Sequence, residues 1–164
     1  LWAGTTLAAD GTLGCANKVP FTASATTMTV RVWSPDAGIA VRLKVEDAAD
    51  PTRSVETEAT TTAAGAWETL TFNFANQAAG TAALNLAYTY NKASIFFNFG
   101  VTGATAGART YYFDDVAFVG GTPPPPPAGW VPITFDDAAV STLLGGSVDA
   151  VEALSTGACD GFLS

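Results

Sequence analysis

Histidine is absent from these 164 residues, so the side chain that most often serves as general base or metal ligand is missing. Neither a Ser-His-Asp nor a Cys-His nucleophile can be assembled without it. Charge is sparse as well. Only 13% of residues are charged, and the seven basic side chains face fifteen acidic ones. The resulting net charge of −8 repels phosphate backbones and anionic lipid, which disfavours nucleic-acid and membrane-surface partners. It suits a secreted protein and attracts divalent cations. No apolar run approaches the roughly 20 residues of a membrane helix, so no helical membrane insertion is expected. Cysteine is limited to Cys15 and Cys159, in unlike contexts and without CxxC spacing. That argues against zinc and for disulfide use in an oxidising compartment.

What the chain does contain is apolar residues (48%) and abundant Thr, Ala and Gly. Such a composition folds, and its length suffices for one well-cored domain plus an appendage. The chain opens at Leu1-Trp2-Ala3-Gly4 and is expected to be a processed or excised piece of something longer.

Two-residue periodicity dominates. Strands are expected near 2–7, at 27–33 (Met28, Val30 and Val32 on one face), and at 39–46 (Val41, Leu43 and Val45 inward). The Ser34-Pro35-Asp36-Ala37-Gly38 turn between the latter two suggests a hairpin with one apolar face. A polar edge strand is expected at 54–62, another strand at 67–74, and one at 95–100 with Ile95, Phe97 and Phe99 sharing a side. Residues 76–93 are ambiguous. Leu84, Leu86, Tyr88 and Tyr90 fit period two, although 82–86 can form a helical turn. A loop at 103–107 precedes the last strand, Thr110 to Val119. Seven or eight short strands with frequent turns predict an all-β, jelly-roll β-sandwich.

The sandwich body is expected over 1–121 and a Pro-rich linker over 122–130, with five prolines at 123–127. A polyproline segment advances about 3.1 Å per residue, so this one is a stiff spacer, favoured over a PxxP docking motif. Residues 131–164 follow as a displaced C-terminal strand segment. Its Ile133-Thr134-Phe135-Asp136-Asp137 repeats the pattern of Tyr112-Phe113-Asp114-Asp115, which suggests that the two strands lie side by side. Asp114, Asp115, Asp136 and Asp137 would then form an oxygen-only set of hard ligands suited to a structural calcium. The alternative is four carboxylates that face solvent or cap loops. Catalysis is not expected. Glycoside hydrolysis needs carboxylates roughly 5 to 9.5 Å apart across a cleft, whereas adjacent residues of a regular strand face opposite sides.

Val32-Trp33-Ser34-Pro35-Asp36-Ala37-Gly38-Ile39 with Val41-Arg42-Leu43-Lys44-Val45-Glu46-Asp47, Trp67-Glu68-Thr69-Leu70-Thr71-Phe72 and Tyr111-Tyr112-Phe113-Asp114-Asp115-Val116 resemble bacterial extracellular jelly-roll modules. These are similar to carbohydrate-binding modules of the glucanase-associated kind, often in tandem. The resemblance spans Leu1 to Gly120 and implies a secreted, non-catalytic module with calcium between its first and last strands. It also implies that the 131–137 strand opens a domain, whereas here it follows the linker. The tail would then be the start of the next module of a tandem array, or it would complete its own sandwich or, by strand donation, that of another copy in a head-to-tail polymer. That order brings Cys15 and Cys159 together and implies a disulfide between them. For a polysaccharide ligand, the outward Trp33, Arg31, Arg42, Lys44 and Glu46, with Asn98 on the same sheet and Tyr88 and Tyr90 as a further platform, are the candidate contacts. The competing reading is a solvated sheet face with Trp33 under a loop. Trp2 and Trp67 are expected to pack in the core or at an edge.

Overall fold

Residues 4–8 and 14–120 are described by a computed structural model of the chain. Seven strands and one short helix occur among them: β1 (Gly4–Leu7), β2 (Thr27–Ser34), β3 (Ala40–Asp47), β4 (Asp50–Thr60), β5 (Ala66–Asn73), β6 (Lys92–Phe97), α1 (Gly103–Ala106) and β7 (Tyr112–Val119). The strands form two antiparallel sheets, one in the order β1, β6, β3, β4 and the other in the order β5, β2, β7.

The alternation of apolar and polar residues dictates which side of each strand is buried. In the three-stranded sheet, Met28 of β2 lies between Phe72 of β5 and Phe118 of β7. In the four-stranded sheet, Val41, Leu43 and Val45 of β3 face inward beside Val55 of β4 and Ile95 of β6. All of these side chains join one core cluster, so the sheets form an all-β sandwich. Burying each large apolar side chain contributes about 1.5–3 kcal/mol before entropy is subtracted.

The expected hairpin between β2 and β3 does not form: the two strands belong to opposite sheets. Residues 34–39 instead cross from one sheet to the other. Ser34 Oγ donates to Asp36 O at 2.6 Å and accepts from Asp36 N at 3.2 Å. Thr61 Oγ1, past the end of β4, donates to Asp36 O and accepts from Ile39 N. Alternation reveals which face of a strand is buried, not which strand is its neighbour. Among the described residues the polar strand β4 does lie at a sheet edge, as its composition suggests.

Residues 76–91 contain no strand. Hydrogen bonds to a side chain and to β4 hold them: Asn85 N donates to Tyr90 Oη at 3.0 Å, and Ala78 N donates to the backbone Glu56 O at 2.7 Å. β6 consequently begins at Lys92 and ends at Phe97, before the expected 95–100 run is complete. Asn98 then adopts φ 53, which reverses the alternation. Phe99 therefore leaves the inward side of Ile95 and Phe97, packing edge-on to Phe96 and under Arg42 instead.

Cys15 is buried and disulfide-bonded. Its backbone N donates to Asn91 O, and Asn91 Nδ2 donates to Cys15 O. This pins the 14–19 segment to the end of β3, where Ala48 N donates to Asn91 Oδ1. Cys159, Asp136, Asp137, the proline linker and the 131–164 segment lie outside the described residues.

Candidate functional site

The outer face of the three-stranded sheet carries an aromatic row across all its strands. Register sets Trp33 opposite Trp67 of β5 on one side and opposite Tyr112 of β7 on the other. Trp67 is 44% exposed and Tyr112 54% exposed. The Trp33 and Tyr112 rings meet edge to face with centroids 5.5 Å apart. Two residues along each strand, about 6.6 Å away at the rise of a strand, runs a polar row: Thr69, Arg31 and Asp114. The Arg31 guanidinium lies 4.9 Å from the Trp67 ring centre and 3.8 Å from Asp115 Oδ2. Flat apolar rings beside hydroxyl, guanidinium and carboxylate groups are the chemistry that grips a sugar: C–H faces stack and hydroxyls hydrogen-bond.

Tyr112 reaches this face because β7 is bulged. Arg31 pairs with Asp114 while Thr29 pairs with Ala117, so two residues of β7 oppose Val30 alone. Asp115 takes φ 48, and its N–H donates to Asp114 Oδ1 at 2.8 Å. Both carboxylates are exposed. The adjacent pair therefore does not split between the two faces as in a regular strand, because the bulge breaks the alternation. Val116 and Phe118 point inward after the bulge, and Phe113 packs against the core before it. Asp tolerates this left-handed conformation better than branched residues. Asp115→Gly is expected to leave stability unchanged or to raise it slightly, and Asp115→Val to cost about 1–3 kcal/mol. Thermal unfolding of both variants checks this.

The other sequence candidates lie elsewhere. Arg42, Lys44 and Glu46 project from the opposite sheet, so they share no face with Trp33 and Arg31. They are engaged with one another and with neighbours. Arg42 donates to Glu56 at 2.9 Å and to Glu58 at 2.8 Å, with its guanidinium 3.6 Å from the Phe99 ring centre. Glu46 is bracketed by Lys44 at 2.5 Å and Lys92 at 3.0 Å. Three cations and three carboxylates thus neutralise each other across β3, β4 and β6. Asn98 lies past the end of β6. Tyr90 is 1% exposed and belongs to the core, while half-buried Tyr88 has Arg53 5.4 Å from its ring centre. Neither tyrosine forms an open platform.

Burial alone would raise the Glu46 carboxyl, but hydrogen bonds and charge from Lys44 and Lys92 outweigh it and hold the group below its ordinary 4.5. A carboxylate lowered in the folded state stabilises the protein fully above its unfolded value, and that stabilisation is lost as pH falls through the folded one. Glu46→Gln is therefore expected to cost about 1.5 kcal/mol at neutral pH. The difference from wild type should shrink as pH is taken well below 4.5, the ordinary Glu46 value. Urea unfolding of both proteins across that range is the check.

A second feature opens at the same end of the sandwich. A cleft of about 430 Å³ runs between β1, the end of β6, α1 and the start of β7. Phe97 and Tyr111 stack in it with centroids 4.8 Å apart and planes 8° from parallel. The Tyr111 hydroxyl is buried without a hydrogen-bond partner among the described residues.

Sequence reasoning missed Trp67, Tyr112, Tyr111 and Arg109. Trp67 was legible: Leu70, Phe72 and Phe74 face inward, which sends odd-numbered Trp67 outward. Tyr112 was not, because its direction depends on the bulge. No family model, curated protein or solved structure matches the chain.

Proposed function

We propose that this chain is a secreted, non-catalytic jelly-roll module that binds a neutral polysaccharide on the outer face of the three-stranded sheet. The observation that carries the reading is the outward Trp67, Trp33, Tyr112 row, exposed at both ends and half-buried at Trp33, with Thr69, Arg31 and Asp114 alongside it. The disulfide at Cys15 supports an oxidising, extracellular location, and Cys159 is its proposed partner. Asp114 and Asp115 offer exposed carboxylates to a structural calcium, but one pair falls short of the six to eight oxygens calcium takes. Arg31 also lies beside them. Asp136 and Asp137 are the proposed remaining ligands.

A second reading is a structural subunit that assembles by donating strand 131–137 to another copy. It is favoured by the edge position of β7, which pairs only with β2 among the described residues. An edge strand offers unpaired backbone groups to an incoming strand.

Affinity electrophoresis through soluble β-glucans, with light scattering in calcium and in EDTA, tests both. A calcium-stabilised monomer retarded by glucan is the expected result. Unretarded migration through every glucan rejects the binding reading, and concentration-dependent polymers establish the structural one.

A further inference from the structure

We infer that the cleft at the start of β7 is an end pocket, which receives the terminal sugar of a glycan whose preceding rings lie on the aromatic row. The inference rests on the polysaccharide reading above and makes it specific for chain ends.

The row runs from β5 across β2 to β7, which is the last strand of its sheet among the described residues. Tyr112 ends the row on the outer side. Tyr111, the preceding residue, points to the other side and lines the cleft. A chain that turns past Tyr112 at the start of β7 therefore meets the cleft next. Its volume of about 430 Å³ falls within the roughly 300–1,000 Å³ of small-ligand sites.

Its lining suits one hydroxyl-rich ring. Phe97, Tyr111 and Phe113 supply apolar walls, while Asn98, Thr5 and Arg109 supply polar groups. The Tyr111 hydroxyl is enclosed with no partner among the described residues, and a buried donor is left unpaired only at a cost. Burial, reinforced by the Asp36 charge, pushes this phenol up, so it remains a protonated donor. Access is controlled by Arg109, whose Nε donates to Asp36 Oδ2 at 3.2 Å. Both partners of that pair are about half exposed, and exposed pairs separate at little cost. A sugar oxygen entering the cleft draws Arg109 inward and accepts a hydrogen bond from the Tyr111 hydroxyl. Carboxylates are absent from the described lining, which fits a neutral sugar.

Calorimetry with laminarihexaose, cellohexaose and a long soluble β-glucan, on wild type, Tyr111→Phe, Arg109→Ala and Trp67→Ala, tests this. Tyr111→Phe is expected to raise Tm, because the orphaned hydroxyl is gone, yet to weaken hexasaccharide binding about tenfold. Arg109→Ala should weaken it similarly. The long glucan should saturate at one module per chain end. Unchanged affinity in Tyr111→Phe and Arg109→Ala, or saturation at many modules along each chain, overturns the end pocket while leaving the row intact if Trp67→Ala still loses binding. No binding by wild type overturns the pocket and the polysaccharide reading together.

Discussion

Truncating Phe72 to alanine is expected to lower unfolding stability by about 3–5 kcal/mol. Phe72 is 0% exposed and sits in β5 directly opposite Met28, which in turn faces Phe118. These three side chains form the floor of the core under the three-stranded sheet, against Val41, Leu43 and Val45 of the other sheet. Removing the ring takes away both transfer free energy and close contacts, and regular antiparallel strands leave little freedom to collapse around the void. A domain of this size holds only about 5–15 kcal/mol in all, so the urea midpoint should fall steeply. Thr71→Ala, one residue away on the outer face, should change stability by less than about 0.5 kcal/mol. A Phe72→Ala cost below about 1 kcal/mol would contradict a core closed by these two sheets.

Trp67→Ala should have the opposite profile, with a small effect on folding and a large one on glycan binding. Its ring is almost half exposed, with the Arg31 guanidinium 4.9 Å from its centre. An exposed cation–π contact of this kind contributes about 0.5–1 kcal/mol. Aromatic anchors of binding surfaces are worth about 2 kcal/mol or more, which corresponds to roughly 30-fold in Kd. The double variant Trp33→Ala/Trp67→Ala removes two adjacent platforms and is expected to abolish measurable retention on glucan. Arg42→Ala provides the contrast. It lies on the other sheet within a self-neutralised ion network, so it should destabilise the fold without changing affinity. If Arg42→Ala weakens binding and Trp67→Ala does not, the ligand face has been placed on the wrong sheet.

The two variants also mark what was readable in advance. Phe72 announces itself, since Leu70, Phe72 and Phe74 recur at period two in a Thr-rich run. The same periodicity identified the inward side of β2 and β3, and the polar composition of β4 marked an edge. Arg42 and Lys44 lie on the outer side of β3 as the alternation predicts, whereas Glu46 is buried between Lys44 and Lys92. The grouping of these β3 residues with Trp33 failed because strand partnership is a long-range property. The Ser34 and Thr61 hydrogen bonds carry the chain across the sandwich at that point, where a turn motif alone suggests a hairpin.

By itself the sequence determined an all-β chain, the inward faces of β2, β3 and β5, and an acidic, histidine-free composition. These follow from side-chain identity and a period of two, which are local. Tertiary structure alone decided which outward residues share a face. It turned on two backbone irregularities, the left-handed Asp115 that rotates Tyr112 into line with Trp33 and Trp67, and the left-handed Asn98 that turns Phe99 onto Arg42. One residue out of phase reverses every side chain beyond it, and whether a residue adopts that conformation depends on the neighbouring strand.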